Sequence, residues 1–188
     1  MNMTKNLLQI ALLGHPVLRK KAQRVKSIKE RAVQSLIDDL IYTVMDANGV
    51  GIAAPQVYRS LQIFIMASHP NERYPNAPEM PATPVINPKI THYSEETELD
   101  WEGCLSMPGV RALVPRSKTI KVTFQDREGN KHCDEYEGFI ARIFQHEYDH
   151  LNGLVFFDRL DSLKDIYMEK EYKKIISTHK LVRYDIIC

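Results

Sequence analysis

The stretch "GFIARIFQHEYDHLNG", residues 138–153, combines a helical spacing with a chemical pattern, and the two together decide how the chain folds. Phe139, Ile143, His146 and His150 recur at helical spacing, and Asn152-Gly153 supplies a stop, so the spacing predicts a mostly buried helix. Within it, His146 and His150 stand four apart and share one face, where their imidazole nitrogens can converge on a point roughly 2 Å from each. Such a point suits a metal ion. Glu147 follows about 100° further round the helix, close enough to reach a water at that point yet turned away from the histidine pair. The pattern H-E-x-x-H thus couples a two-histidine clamp to a carboxylate able to take a proton from water.

A catalytic site of this kind needs a third protein ligand and an open fourth position. The metzincin pattern H-E-x-x-H-x-x-G-x-x-H matches at Gly153 but meets Phe156 where its last histidine belongs. A thermolysin-like arrangement would take a glutamate about twenty residues beyond the second histidine, and Glu169 and Glu171 lie near that spacing. Both also read as ordinary charges on the solvated face of "KDIYMEKEYKK". The third candidate is Cys104 in "WEGCLSMPG", a thiolate on a glycine-bearing loop that can reach a distant helix.

Outward from this helix the chain reads as an α+β domain spanning 1–188, with antiparallel or mixed sheets around the central H-E-x-x-H helix. "SIKERAVQSLIDDLIYTVMDANG" opens with Ser27 and Glu30 in capping-box spacing. It repeats Val33, Leu36, Ile37, Leu40, Ile41 and Val44 and stops at Asn48-Gly49, which predicts an N-terminal amphipathic helix. The loop "GVGIAAPQV" leads into the apolar strand "LQIFIMA". Residues 69–88 hold six of the ten prolines and read as an irregular excursion, followed by a strand around "KITHYSEETEL". "KTIKVTFQD", the turn "REGN" and "KHCDEYEGF" predict a hairpin. "SLKDIYMEKEYKKIISTHK" predicts a C-terminal helix starting at Ser162.

The formal net charge of +1 makes no case for nucleic acid or an anionic membrane as main partner. Runs such as "LQIFIM" fall far short of the ~20 apolar residues of a membrane span. The N-terminus carries no export signal, and three scattered cysteines make poor disulfide material, so a soluble protein of the reducing cytoplasm is expected. Cys188 is the last residue, and Asp185 stands where a prenylation signal would need cysteine.

Three stretches, "GVGIAAPQ" (49–56), "EGCLS" (102–106) and "QHEYDH" (145–150), closely resemble in order and spacing the signature motifs of peptide deformylase. "RALVPRSKTIKV" and "GFIARIFQHE" extend the resemblance over most of the chain. It implies a hydrolase that removes the formyl group from the N-terminal formylmethionine of newly made polypeptides and releases formate. The implied metal ligands are Cys104, His146 and His150, with Glu147 as general base and then acid. Fe²⁺ is the usual metal of such enzymes, and Zn²⁺, Ni²⁺ or Co²⁺ can take the same ligands. By the same resemblance, the side-chain amide of Gln56 and the backbone N–H of Leu105 serve the carbonyl oxygen. Gly49 and Gly51 receive the substrate backbone, Val50, Phe139 and Ile143 form the methionine pocket, and a Glu102–Arg116 ion pair steadies the cysteine loop. Nascent chains and the ribosome are the implied partners, with the chain a monomer or weak dimer. Cys133 and Cys188 match no motif, and neither does the tail "KLVRYDIIC". The proline-rich stretch is longer than in the shortest bacterial relatives. An endoprotease using Glu169 or Glu171, and a structural metal module with a closed fourth position, are the alternative readings.

Overall fold

A computed structural model describes residues 5–71, 74 and 76–177. The tail "KLVRYDIIC", with Cys188, lies outside the described residues. Strands β1 (Gly51–Ala53), β2 (Ile63–Met66), β3 (Thr83–Tyr93), β6 (Thr119–Gln125) and β7 (Lys131–Glu137) form one sheet in the order β1-β2-β3-β6-β7. Strands β4 (Thr97–Cys104), β5 (Met107–Ser117) and β8 (Ile166–Met168) form a second sheet in the order β4-β5-β8. Every strand pair is antiparallel, so the expectation resolves toward antiparallel sheets; among the described residues the parallel contact is an isolated bridge, Gln23 to Leu61.

The continuous apolar run of β2 is explained by its position. Ile63 and Ile65 point to the core beneath helix α1 (Arg31–Asp46), while Phe64 and Met66 point to the core beneath helix α2 (Gly138–Leu151). A strand covered on both faces loses the alternation that a half-exposed strand keeps. On the α2 side, Phe64 meets Phe144 edge to face with ring centroids 5.0 Å apart. A third core of Met107, Ala112, Val114, Val155 and Phe156 lies under the second sheet. Helix α2 therefore has sheet β1-β2-β3-β6-β7 against Phe144 and strands β4 and β5 against Arg142 and His146.

Three sequence expectations shift at their edges. Helix α1 starts at Arg31, and its N-cap Glu30 makes no side-chain cap bond, so the Ser27–Glu30 capping box does not form. Burial of Val25 and Ile28 instead holds 27–30 in a turn, and Gln34 Nε2 donates to the Ile28 carbonyl at 2.9 Å. The prolines at 84 and 88 fall inside β3 rather than in the irregular excursion, and "KITHYSEETEL" divides between β3 and β4. At the C-terminal end, Ser162 caps only a 3-10 turn by accepting from Lys164 N–H, and β8 follows before helix α3 (Glu169–Ser177) begins. Ile166 packing into the third core pulls that segment into strand pairing with β5. Among the described residues no helix is long and apolar enough to cross a membrane.

Candidate metal centre

Helix α2 presents His146 and His150 from one face, as the i, i+4 spacing dictates, and β4 ends at Cys104 opposite them. A register shift between Glu102 and Cys104 turns the end of β4, where Cys104 pairs with Met107. One ligand atom from each of Cys104, His146 and His150 lies within 4.8 Å of the others. Cys104 Sγ is 3.3 Å from His150 Nε2. Two buried polar atoms beside the cluster, Glu147 Oε2 and His150 Nδ1, have no hydrogen-bond partner among the described residues. One thiol sulfur with two imidazole nitrogens is a donor set for a borderline divalent ion, and the orphaned Glu147 oxygen leaves a carboxylate free for a water. The residues present fit a metal.

A buried charge network fixes the cluster from behind. His146 Nδ1 donates to Glu102 Oε2 at 2.8 Å, and Arg116 grips the same carboxylate through Nε at 2.8 Å and Nη2 at 3.0 Å. Arg142 adds Nη1 to Glu102 Oε1 at 3.0 Å and to the Val114 carbonyl at 2.7 Å, and its Nη2 donates to the Glu98 carbonyl. Arg116 Nη1 reaches on to Asp149 Oδ2 at 2.6 Å, and Arg159 Nη2 holds the other oxygen of Asp149. Burial is the largest influence on Glu102 and opposes ionisation, yet Arg116 and His146 together keep its carboxyl far below the usual range. For Glu147 burial prevails, and its carboxyl is pushed up to about 7. Burial also drives His150 down, helped by His146 and Arg116. On His146 burial pulls downward, but Cys104 and Glu102 raise it above the ordinary histidine value.

Gln56 sits in a buried 3-10 turn (Ala54–Val57), accepts from Ala53 N–H at 2.8 Å, and directs Nε2 to Ser106 Oγ at 3.1 Å and toward Cys104 Sγ at 3.3 Å. Leu105 follows Cys104 and lines the same cleft as Gly49, Val50, Gly51, Phe139 and Ile143. Gly51 leaves room for Glu147, because a Cβ there would collide with Glu147 Oε1 and force the carboxylate to shift. Of the site residues expected from the sequence, all but His150 and Arg116 line one cleft; His150 joins the cluster through Cys104 Sγ, and Arg116 stands behind it on Glu102.

Several residues there carried no sequence signal. Tyr74, from the proline-rich excursion, leans on Phe139 with ring centroids 5.0 Å apart and its hydroxyl accepts from Arg111 Nη1 at 3.1 Å. The Arg111 guanidinium lies between Tyr74 and Tyr172, 5.6 and 5.5 Å from their ring centres, and Nη2 meets Glu169 Oε1 at 3.3 Å. Arg111 and Trp101 also line the cleft. Glu169 is therefore held by Arg111 and Glu171 by Lys174, so neither supplies the third ligand of a thermolysin-like site.

The family model of polypeptide deformylase matches residues 7–165. The chain belongs to the polypeptide deformylase family. Among its relatives, peptide deformylase 2 of Nostoc sp. is 53% identical over 175 residues, covering 93% of this chain and 98% of that protein. The peptide deformylase of Thermotoga maritima is 40% identical over 172 residues, covering 92% and 98% respectively. The crystal structure of class I type b peptide deformylase from Acinetobacter baumannii with Met-Ala-Ser bound is similar, with a TM-score of 0.81 at 42% identity over 84% of this chain and 100% of that one. The Thermotoga maritima crystal structure gives a TM-score of 0.75 at 39% identity over 84% and 99%. This deformylase-family chain is accordingly a hydrolase.

Proposed function

We propose that the chain is a metal-dependent deformylase, with 1–188 as one catalytic domain around α2, that removes the formyl group from the N-terminal formylmethionine of newly made polypeptides. The observation that carries this reading is the convergence of Cys104, His146 and His150 beside a buried Glu147 oxygen with no partner. A divalent ion held by those three residues supplies Lewis acidity and makes a nearby water easier to deprotonate. Fe²⁺ is the physiological candidate, and Zn²⁺, Ni²⁺ or Co²⁺ suit the same donors.

Glu147 takes the proton as the water oxygen adds to the formyl carbon, and a carboxyl held near neutrality by burial is suited to that exchange. Negative charge then grows on the carbonyl oxygen, where Gln56 Nε2 and the Leu105 N–H donate. Glu147 returns its proton to the amine nitrogen, the C–N bond breaks, and formate leaves. Gly49 and Gly51 let the substrate backbone approach, while Val50, Phe139 and Ile143 take the methionine side chain. The Met-Ala-Ser bound to the Acinetobacter relative supports a peptide beginning with methionine as the ligand class. Nascent chains place the work in the cytoplasm near the ribosome, by a monomer or weak dimer.

The test is formate release from a formyl-Met-Ala-Ser peptide by protein prepared without oxygen and loaded with Fe²⁺. Release by the parent and none by metal-loaded Glu147→Gln is expected. No release from a fully metallated parent overturns the reading.

A further inference from the structure

The pocket assigned to the methionine side chain is not uniformly apolar. On α2, Phe139, Arg142, Ile143 and His146 follow at i, i+3, i+4 and i+7, the spacing that puts residues on one helix face, and all four line the cleft. Arg142 therefore shares a stripe with the two apolar pocket residues and a candidate metal ligand. It is only 4% exposed, and a cation so placed has to be held by partners. Its Nη1 donates to Glu102 Oε1 at 3.0 Å, to the Val114 carbonyl at 2.7 Å and, at 3.5 Å, to the Asp100 carbonyl. Its Nη2 donates to the Glu98 carbonyl at 2.7 Å. Those acceptors belong to β4 and β5, and Glu102 also holds His146 and Arg116, so the guanidinium ties α2 to two strands and stays in the pocket wall.

One donor of that guanidinium is left over. All four bonds use Nη1 and Nη2, and Nε takes part in none of them. Among the described residues, Arg111 Nε is sealed away without a partner, whereas Arg142 Nε is not, and on a residue that lines the cleft it opens toward the cleft. The stem of Arg142 thus gives the pocket an apolar shaft, and the shaft ends in a free N–H. A methionine side chain carries one atom able to answer it, the thioether sulfur, which is a weak acceptor.

We propose that Arg142 is a specificity-determining residue of this pocket, whose Nε–H meets the position of the methionine sulfur, so that side chains are selected by the acceptor they carry there. The proposal rests on the deformylase reading, which puts a methionine side chain in the pocket. A norleucine side chain has the same shape as methionine and no acceptor, the thioether is a weak acceptor, and the oxygen of a methionine sulfoxide is a strong one. In a pocket walled by apolar groups alone the order would reverse, because a buried sulfoxide without a donor is costly. Peptides whose first methionine is oxidised therefore join the substrate class.

The experiment compares formyl-Met-Ala-Ser with its norleucine and methionine sulfoxide analogues, using metal-loaded parent and metal-loaded Arg142→Lys. Lysine sets a methylene where arginine has Nε and keeps a cation for Glu102, so it deletes the donor with little disturbance of the fold. In the parent, kcat/KM should rise about two- to fivefold from norleucine to methionine, and the sulfoxide should match or exceed methionine. In Arg142→Lys the advantage of methionine over norleucine should vanish, and the sulfoxide should fall about tenfold or more below both. Ratios are taken within each protein, so a general loss of activity cancels. Affinities of the three peptides without the formyl group, followed through the fluorescence of Trp101, the single tryptophan and a cleft residue, should rank in the same order. Norleucine equal to or better than methionine in the parent, a sulfoxide peptide far below methionine there, or a gradient that survives in Arg142→Lys overturns the proposal. Graded peptide binding by a fully metallated parent that releases no formate supports the pocket and sinks the deformylase reading instead.

Discussion

Glu102 and His146 share a hydrogen bond of 2.8 Å in which the carboxylate orients the imidazole from the side away from the cysteine sulfur. Among the described residues, the same carboxylate is the sole side-chain acceptor that Arg142 uses and one of the two carboxylates that Arg116 uses. Glu102→Ala is therefore expected to weaken metal retention by about 10- to 100-fold. It should also destabilise the fold by about 3–5 kcal/mol, because two buried cations lose a counter-charge. Metal release to a chelator reads the first effect and urea unfolding the second. Unchanged metal retention would contradict the orienting role.

Gly51 faces Glu147 so closely that any side chain would displace the carboxylate. Gly51→Ala should lower kcat by at least a hundredfold while Cys104, His146 and His150 keep their metal. Metal content and formate release measured on the same sample check this, and near-parent kcat would show that Glu147 has room to move.

Tyr74 closes one side of the cleft by touching both Phe139 and Arg111. Tyr74→Ala should raise KM for short formylated peptides several-fold with little change in kcat, since no reacting atom lies at its hydroxyl. Tyr74→Phe, which keeps the ring and removes only the hydrogen bond to Arg111, should recover most of the loss. A fall in kcat alone would place Tyr74 in the chemistry and not in the wall.

Asp126 organises the turn between β6 and β7. Partial desolvation is the largest single influence on its carboxyl and works upward, but bonds from His132, Asn130 and the Glu128 N–H outweigh it and hold the group at about 2. Its folded value lies below its unfolded one, so the stability it contributes is present above about pH 4 and is lost as pH falls toward 2. Much of the pairing is near solvent, and about 1 kcal/mol or less is expected. Urea midpoints of parent and Asp126→Asn should differ at pH 6 and draw together only as the pH falls below about 2.

The parts of the site legible in the sequence are those whose chemistry forces a spacing. The i, i+4 histidines, the cysteine beside glycine and the glycines before Gln56 each need their neighbours in the chain. Arg142, Asp149, Arg159 and Tyr74 need theirs only across space. An arginine within "GFIARIF" reads as a surface cation until β4 and β5 present it with carbonyls and a carboxylate. In the fold, helices α1 and α2 and the β6–β7 hairpin were plain because their apolar periods are strong. Ser162 misled because a cap signal can be spent on a single 3-10 turn once Ile166 is claimed by a neighbouring core.

Strand β2, with alternate side chains committed to two different cores, also governs how the molecule comes apart. Helix α1 cannot leave without uncovering Ile63 and Ile65, nor helix α2 without uncovering Phe64 and Met66, so loss of either undermines the wall on which the other rests. The two helical halves should then open as one cooperative unit. The amides of residues 63–66 should be among the slowest in the chain to exchange with deuterated water, at a rate set by global unfolding.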